Sequence, residues 1–392
     1  MAIYLTNSFK LPSPRSSKMQ AVTVRIPTTT AQLPWAPVWP SYLNTVCSGN
    51  LVASLSVMIY SLVSNAATHA IFTLKSCVDY YLKYHSNVLV TFLDCSKAFD
   101  KVSHYGIFLK LMSRGVPLCF LNLIVYWYLN LHCCCQWNGV KSDFFQVTTG
   151  TKQGGVISPK IFTLYLDELI SRLRRRGIGC HVLHLFIACI LYADDLCLIA
   201  PTRGAMQEML LICQENCGEF CLHFNPKKSK ALLFGNFRNI TVAPLNLNGQ
   251  QIEYTNQWDY LGTTIVSGTN LSFSASKDLR SFYRSANSVL SVQRKPNELV
   301  QMKLLYSMCV PILSYVAEVK LFKCSEMHSC NVAINDAIRR IFSFNRWESP
   351  RELRQQLSLP NLYKIFSLRK TKFEEGCRNS YNSIVAYLTN KL

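Results

Sequence analysis

Phe186-Ile187-Ala188-Cys189-Ile190-Leu191-Tyr192-Ala193-Asp194-Asp195-Leu196-Cys197-Leu198-Ile199-Ala200 is the stretch on which the fold turns. Two apolar runs of strand length flank Tyr-Ala-Asp-Asp, which predicts a hairpin of Phe186–Leu191 and Leu196–Ala200 with paired acids at its tip. A second β-branched run, Asn87–Leu93, ends at another acid, Asp94. Turns favour Asp for its own local hydrogen bonding. Carboxylates set so tightly among Val, Leu and Ile are nevertheless costly unless something compensates them. Two adjacent acids at one strand end, and a third after another strand, suit a pair of divalent cations. Mg²⁺ prefers oxygen ligands and is usually held by one or two carboxylates plus substrate phosphates. Two such ions about 4 Å apart would activate a hydroxyl and stabilise a leaving oxygen in phosphoryl transfer.

Outward from that hairpin, helices and strands alternate irregularly. Ala66–Tyr84 has the spacing of an amphipathic helix, and helices are expected near Tyr105–Arg114 and Leu118–Leu131. Short strands near Cys134–Trp137 and Phe144–Thr148 are separated by Asn138-Gly139, a hairpin signal. A loop at Gly150–Ser158 precedes a helix opened by Pro159 and running to about Arg176. Gly204–Phe220 is expected to be helical and Ala231–Phe234 a strand. Beyond Ser276 the chain turns helical and basic, with 18 Lys and Arg against nine Asp and Glu over residues 277–380.

Residues 1–64 stand apart. They contain no Asp or Glu and hold six prolines by Pro40, the pattern of a poorly packed leader. Over the whole chain of 392 residues, 49% are apolar, which excludes wholesale disorder. Only 16% are charged, yet 41 Lys and Arg against 22 Asp and Glu leave a net charge of +19. An excess of that size favours an acidic partner, nucleic acid or an anionic membrane face being the two usual ones. The 17 cysteines, many inside apolar runs, suggest a reducing compartment rather than a disulfide scaffold. Pro117–Trp137 is apolar, but Asn122, Asn130 and His132 interrupt it, so a buried helix is expected there and not a membrane span.

Five segments in order carry a family resemblance. Leu93-Asp94-Cys95-Ser96-Lys97-Ala98-Phe99-Asp100 resembles the first catalytic motif of the reverse transcriptases of non-LTR (LINE-type) retrotransposons. Gln153-Gly154-Gly155-Val156-Ile157-Ser158-Pro159 is similar to the second, and Tyr192-Ala193-Asp194-Asp195 to the third. Asn225-Pro226-Lys227-Lys228-Ser229-Lys230 resembles the lysine-bearing fourth, and Tyr260-Leu261-Gly262 the primer-gripping fifth. The resemblance implies an α+β, right-hand polymerase fold: an antiparallel palm sheet backed by helices, partial fingers and a helical thumb. The implied organisation is a leader over 1–64, fingers remnant and palm over 65–275, and a basic helical thumb over 276–392. The implied activity is Mg²⁺-dependent, RNA-directed DNA synthesis at a primer 3′-hydroxyl. Its implied partners are an RNA template, a DNA primer and deoxynucleoside triphosphates, inside the cell in the nucleus or cytoplasm.

By the same resemblance Asp94, Asp194 and Asp195 would bind two metal ions. Phe99 would close the pocket beneath the incoming sugar and favour deoxynucleotides. Gln153, Gly154 and Gly155 would lie against nucleotide and template. Lys228 or Lys230 would neutralise or protonate the departing pyrophosphate, and Tyr260 and Gly262 would hold the primer terminus. Lys152 stands where the family often has proline, and Asp100 is expected to be structural. Arg280, Arg284, Arg339 and Arg340 are candidates for phosphate contacts from the thumb. The longer fingers and upstream endonuclease of full-length elements are not evident before Ala66, so the chain is expected to be N-terminally truncated. A catalytically inactive, nucleic-acid-binding remnant is the alternative expectation. Cys213, Cys217 and Cys221, four apart on a helix, span about 12 Å and do not suit one zinc ion; Cys324, His328 and Cys330 lack a fourth ligand.

Overall fold

Residues 22–25, 67–95, 98–151, 158–219, 223–237, 242–291, 296–380 and 382–391 are described by a computed structural model. The chain divides into two compact units. One comprises residues 61–94, 172–214 and 224–392, and the other residues 1–60, 95–171 and 215–223.

The first unit opens with helix α1 (Ala67–Lys83) and strand β1 (Val88–Asp94). Its next strands are β2 (Cys189–Tyr192), β3 (Asp195–Ala200), β4 (Lys230–Phe234), β5 (Leu245–Leu247) and β6 (Gln250–Tyr254). These form a six-stranded sheet in the order β5-β6-β4-β1-β3-β2. β1 lies inside it, paired antiparallel with β4 on one edge and β3 on the other. Residues 88–93 are all buried, which is why, apart from Thr91, they read as an apolar run rather than an alternating one. α1 packs on β1 and β2 through Ile71, Leu74 and Val78.

The sheet is mixed. All its pairs are antiparallel except β4 with β6, which run parallel. The expected antiparallel palm is therefore extended at one edge by the β5–β6 hairpin. Strands β7 (Gln257–Tyr260), β8 (Thr263–Val266) and β9 (Ser272–Ser274) form a separate antiparallel sheet. Helices α2 (Ser276–Leu290), α3 (Cys324–Phe342) and α4 (Leu362–Arg378) follow, sharing an apolar core that includes Phe282, Ile334, Ile338 and Phe366.

The second unit contains helices His104–Ser113 and Leu118–Leu129 and the strand His132–Trp137. That strand pairs with Val22–Arg25, with Val140–Lys141 across Asn138-Gly139, and with Phe145–Gln146. The apolar stretch read as one buried helix is thus a helix followed by a strand. Only one helix face, Leu121, Ile124 and Tyr128, is buried, while Leu118 and Leu129 are exposed. The leader lies outside the described residues apart from Val22–Arg25.

Candidate active site

Asp94 closes β1 and Asp195 opens β3, and the register of the two strands sets them directly opposite each other. Residues opposed in this way have Cα atoms roughly 4.5–5.5 Å apart and project from the same face. Two carboxylates separated by about a hundred positions in sequence are thereby brought together by the sheet. Asp194 precedes Asp195 in a two-residue loop, Ala193-Asp194, closed by the Tyr192–Asp195 pair. Such hairpin loops match the strand twist by taking positive φ, and Ala193 has φ 52°. A residue with a Cβ is strained there.

The electrostatics record uncompensated negative charge. Loss of hydration against the sheet raises the Asp195 carboxyl from 3.8 to about 6, with Asp194 and Asp94 adding to the shift. Asp94 Oδ2 is buried and accepts no hydrogen bond from the described residues. Lys228 Nζ lies 3.8 Å from it. Among the described residues, no three acidic, thiol or imidazole side chains are gathered tightly enough to enclose an ion by themselves. The remaining ligands of any ion here would come from elsewhere, as Mg²⁺ sites completed by substrate phosphates require.

The two candidate lysines separate. Lys228 is turned toward Asp94, whereas Lys230 forms an ion pair of 2.5 Å with Glu253, its register partner on β6. Between them sits a residue with no assigned role in the sequence reading. Ser229 is fully buried, and its Oγ accepts the Asp94 N–H at 3.3 Å. Asn225 donates its own N–H to the Asp94 carbonyl at 2.9 Å. The only local signal was Asn-Pro, a turn initiator, which says nothing about what the turn touches.

Tyr260 is 2% exposed, its ring lies tilted against Phe92 with centroids 4.7 Å apart, and its hydroxyl has no hydrogen-bond partner among the described residues. Burial pushes that hydroxyl well above its ordinary value. The ring thus belongs to the core beneath the acids. Asp94, Asp195, Lys228, Trp258 and Tyr260 line a cavity of about 70 Å³. Gly262 and Leu261 form the β7–β8 turn with φ 77° and 46°, the two positive values of a type I′ hairpin. A Cβ on Gly262 would lie 3.1 Å from the Tyr315 ring, whose hydroxyl donates to the Leu261 carbonyl at 3.2 Å.

Phe99 belongs to the second unit, on the short helix Ala98–Lys101, partly exposed and stacked 4.6 Å from Phe162. Its carbonyl accepts the Thr151 N–H at 2.6 Å. Gly150 in that crossing has φ 91°, and a Cβ there would meet the Asp100 carbonyl at 2.9 Å. Asp100 itself is exposed. Gln153, Gly154 and Gly155 lie outside the described residues. In the helical region Arg339 pairs with Asp336 and Arg340 donates to Asn287, while Arg280 donates to the Ser276 carbonyl. Among the described residues, no group of three or more potential metal ligands gathers around Cys324, His328 and Cys330. Cys213 is buried in helix Arg203–Glu219, with Cys221 outside the described residues.

A sequence profile of "Reverse transcriptase (RNA-dependent DNA polymerase)" matches residues 43–265. The Retrovirus-related Pol polyprotein from type-1 retrotransposable element R2 of Nasonia vitripennis is 30% identical over 187 residues, 45% of this chain and 18% of that protein. The corresponding type-2 element R2DM polyprotein of Drosophila melanogaster is 25% identical, covering 50% of this chain and 19% of its own. The RNA-directed DNA polymerase from mobile element jockey of Drosophila funebris is 24% identical over 312 residues, 76% of this chain and 33% of that protein. The chain therefore spans a third or less of the length of these three relatives. Among solved structures, apo telomerase from Candida tropicalis truncated from its C-terminal domain is 10% identical with a TM-score of 0.44, over 61% of this chain and 47% of that one. Candida albicans telomerase, in complex with a fragment of telomeric RNA, is 12% identical with a TM-score of 0.40, over 94% of this chain and 61% of that one. No helix among the described residues is long and apolar enough to cross a membrane.

Proposed function

Because this chain belongs to the reverse transcriptase (RNA-dependent DNA polymerase) family, of the kind encoded by non-LTR retrotransposons, we propose that it extends a DNA primer along an RNA template. The primer 3′-hydroxyl attacks the α-phosphorus of a deoxynucleoside triphosphate, the α–β bridging bond breaks, and pyrophosphate leaves. The observation that carries this reading is the register that opposes Asp94 to Asp195 with Asp194 in the adjoining turn.

Asp94, Asp194 and Asp195 are the residues that would hold two Mg²⁺ ions. The donor set fits: all are hard oxygens, one is buried without a hydrogen bond among the described residues, and loss of hydration, with repulsion from the other two acids added, raises the Asp195 carboxyl to about 6. When bound, Mg²⁺ supplies positive charge against the attacking hydroxyl and the leaving oxygens. Lys228, mostly exposed yet tethered beside Asp94, can reach outward to neutralise or protonate the departing pyrophosphate. Lys230 is occupied by Glu253 and serves the sheet instead. Phe99 would bound the sugar pocket and disfavour a 2′-hydroxyl, while Gln153, Gly154 and Gly155 would face nucleotide and template. Gly262, in its tight turn, would let the backbone approach the primer terminus, with Tyr260 supporting that turn from within the core. Such a template and primer place the work inside the cell, in nucleus or cytoplasm.

Primer extension on an RNA template tests the reading. The wild-type chain is expected to incorporate deoxynucleotides with Mg²⁺, and Asp194→Asn to incorporate none. Wild-type activity surviving Asp194→Asn sinks the metal assignment. Salt-sensitive duplex binding without any incorporation by the wild type selects the non-catalytic remnant instead.

A further inference from the structure

The β1–β4 ladder ends at the Phe92–Lys230 pair, two residues short of Asp94. On its β3 edge Asp94 is paired with Asp195, but on its β4 edge the regular strand has already stopped. An unpaired backbone there would leave the first acid of the site at a loose margin of the sheet. The loop Asn225–Ser229 occupies that edge in the ladder's place. Asn225 N–H donates to the Asp94 carbonyl at 2.9 Å, and the Asp94 N–H donates to Ser229 Oγ at 3.3 Å. Ser229 is itself fixed: it is fully buried, and both its N–H and its hydroxyl donate to the Asn225 carbonyl, at 2.9 and 2.8 Å. With its hydroxyl proton committed to Asn225, the Ser229 oxygen is left to accept from Asp94. The Asn225 side chain in turn accepts the Lys227 N–H at 3.1 Å, closing the turn that carries Lys228 to the Asp94 carboxylate.

We infer that Ser229 is a positioning residue, whose hydroxyl fixes the Asp94 backbone and thereby sets where its carboxylate and Lys228 meet the reacting groups. The inference rests on the polymerase reading above and adds a residue to it. One buried hydroxyl couples the first catalytic acid to the loop bearing the catalytic cation, so neither moves without the other.

The test compares Ser229→Ala, Ser229→Cys and Ser229→Thr in the full chain. Alanine removes the acceptor, cysteine keeps the bulk with a poor acceptor, and threonine keeps the hydroxyl. The expected result for alanine and cysteine is a single-turnover incorporation rate about tenfold lower, a fraction of the roughly 100-fold loss that a 1 Å misplacement can bring. KM for nucleotide and primer should stay within twofold, and threonine should restore the rate. Two readouts do not use turnover: Mn²⁺ affinity measured by electron paramagnetic resonance should weaken several-fold, and amides of Phe92–Asp94 should exchange faster while those of α2 and α3 do not change. Unchanged rate and Mn²⁺ affinity in alanine and cysteine overturn the inference, as does a loss tracking only a lowered melting temperature. If Asp194→Asn is inactive while Ser229→Ala matches the wild type, the brace alone fails; if Asp194→Asn stays active, the polymerase reading fails with it.

Discussion

Asp195 shows how a single side chain carries the tension of the site. Its carboxyl titrates near 6 in the folded chain, against 3.8 for the ordinary group, because the sheet strips its hydration and two acids face it. Between those values the folded protein keeps a proton that the unfolded chain has released. The stabilisation this gives is complete below about pH 4 and is lost as pH rises through about 6. Melting curves of metal-free protein should therefore fall across that window more steeply than those of Asp195→Asn. Mg²⁺ competes with the same proton, so its affinity should increase over the same interval. The two lysines provide a sharper contrast. Lys228→Ala should lower nucleotide incorporation by about 100-fold, the lower end for loss of a proton donor. Lys230→Ala, which only frees the largely exposed Glu253, should leave the rate within a few-fold. Equal losses in the two variants would assign the cation wrongly.

Hairpins and helices impose their own requirements on these residues. Ala193 sits at φ 52° because the two-residue β2–β3 loop demands it. Ala193→Gly should raise stability by about 1 kcal/mol, measured by denaturant unfolding. Gly262→Ala is the opposite experiment, since φ 77° and the Tyr315 ring at 3.1 Å both resist a Cβ; a loss of about 1–2 kcal/mol is expected. Farther along, Lys320 is fully buried against Asp278 on α2, at 2.7 Å. Asp278→Asn leaves that ammonium without its counter-charge and should destabilise by about 3–5 kcal/mol. The hairpin tip and β1 were legible in the sequence because apolar runs bounded by acids have few other uses, although β2 begins at Cys189 and Phe186 pairs with His181 instead. The Lys320–Asp278 pair was not, since neither residue interrupts a pattern and the two are 42 positions apart. Ser229 was hidden for a related reason: a serine in a basic turn looks solvated until a strand far away in sequence is laid beside it. Tyr260 was legible as a motif residue but not as a core residue, because its burial depends on Phe92, which lies on a strand of a different sheet.

Across the whole molecule the dominant quantity is charge, +19 on 392 residues. That net figure already counts the three acids of the site, and the basic excess continues through the helices beyond Ser276. On the proposed function, a surplus of this size would hold a nucleic-acid duplex chiefly by displacing counterions from phosphates. The logarithm of affinity then falls linearly with the logarithm of salt, with a slope near −0.9 per phosphate contacted. If the chain grips an RNA–DNA hybrid through six to ten phosphates, its affinity should drop about 10³- to 10⁵-fold between 50 and 200 mM salt. Arg284→Ala should reduce the slope by about one unit if that side chain touches a phosphate. Asp194→Asn should leave the slope as it is while ending incorporation, because binding by counterion release and chemistry at the acids are separate properties of the chain. Fluorescence anisotropy of a labelled hybrid, titrated at four salt concentrations with both variants, measures all three quantities. A flat salt response from the wild type would mean that the basic surplus faces something other than nucleic acid.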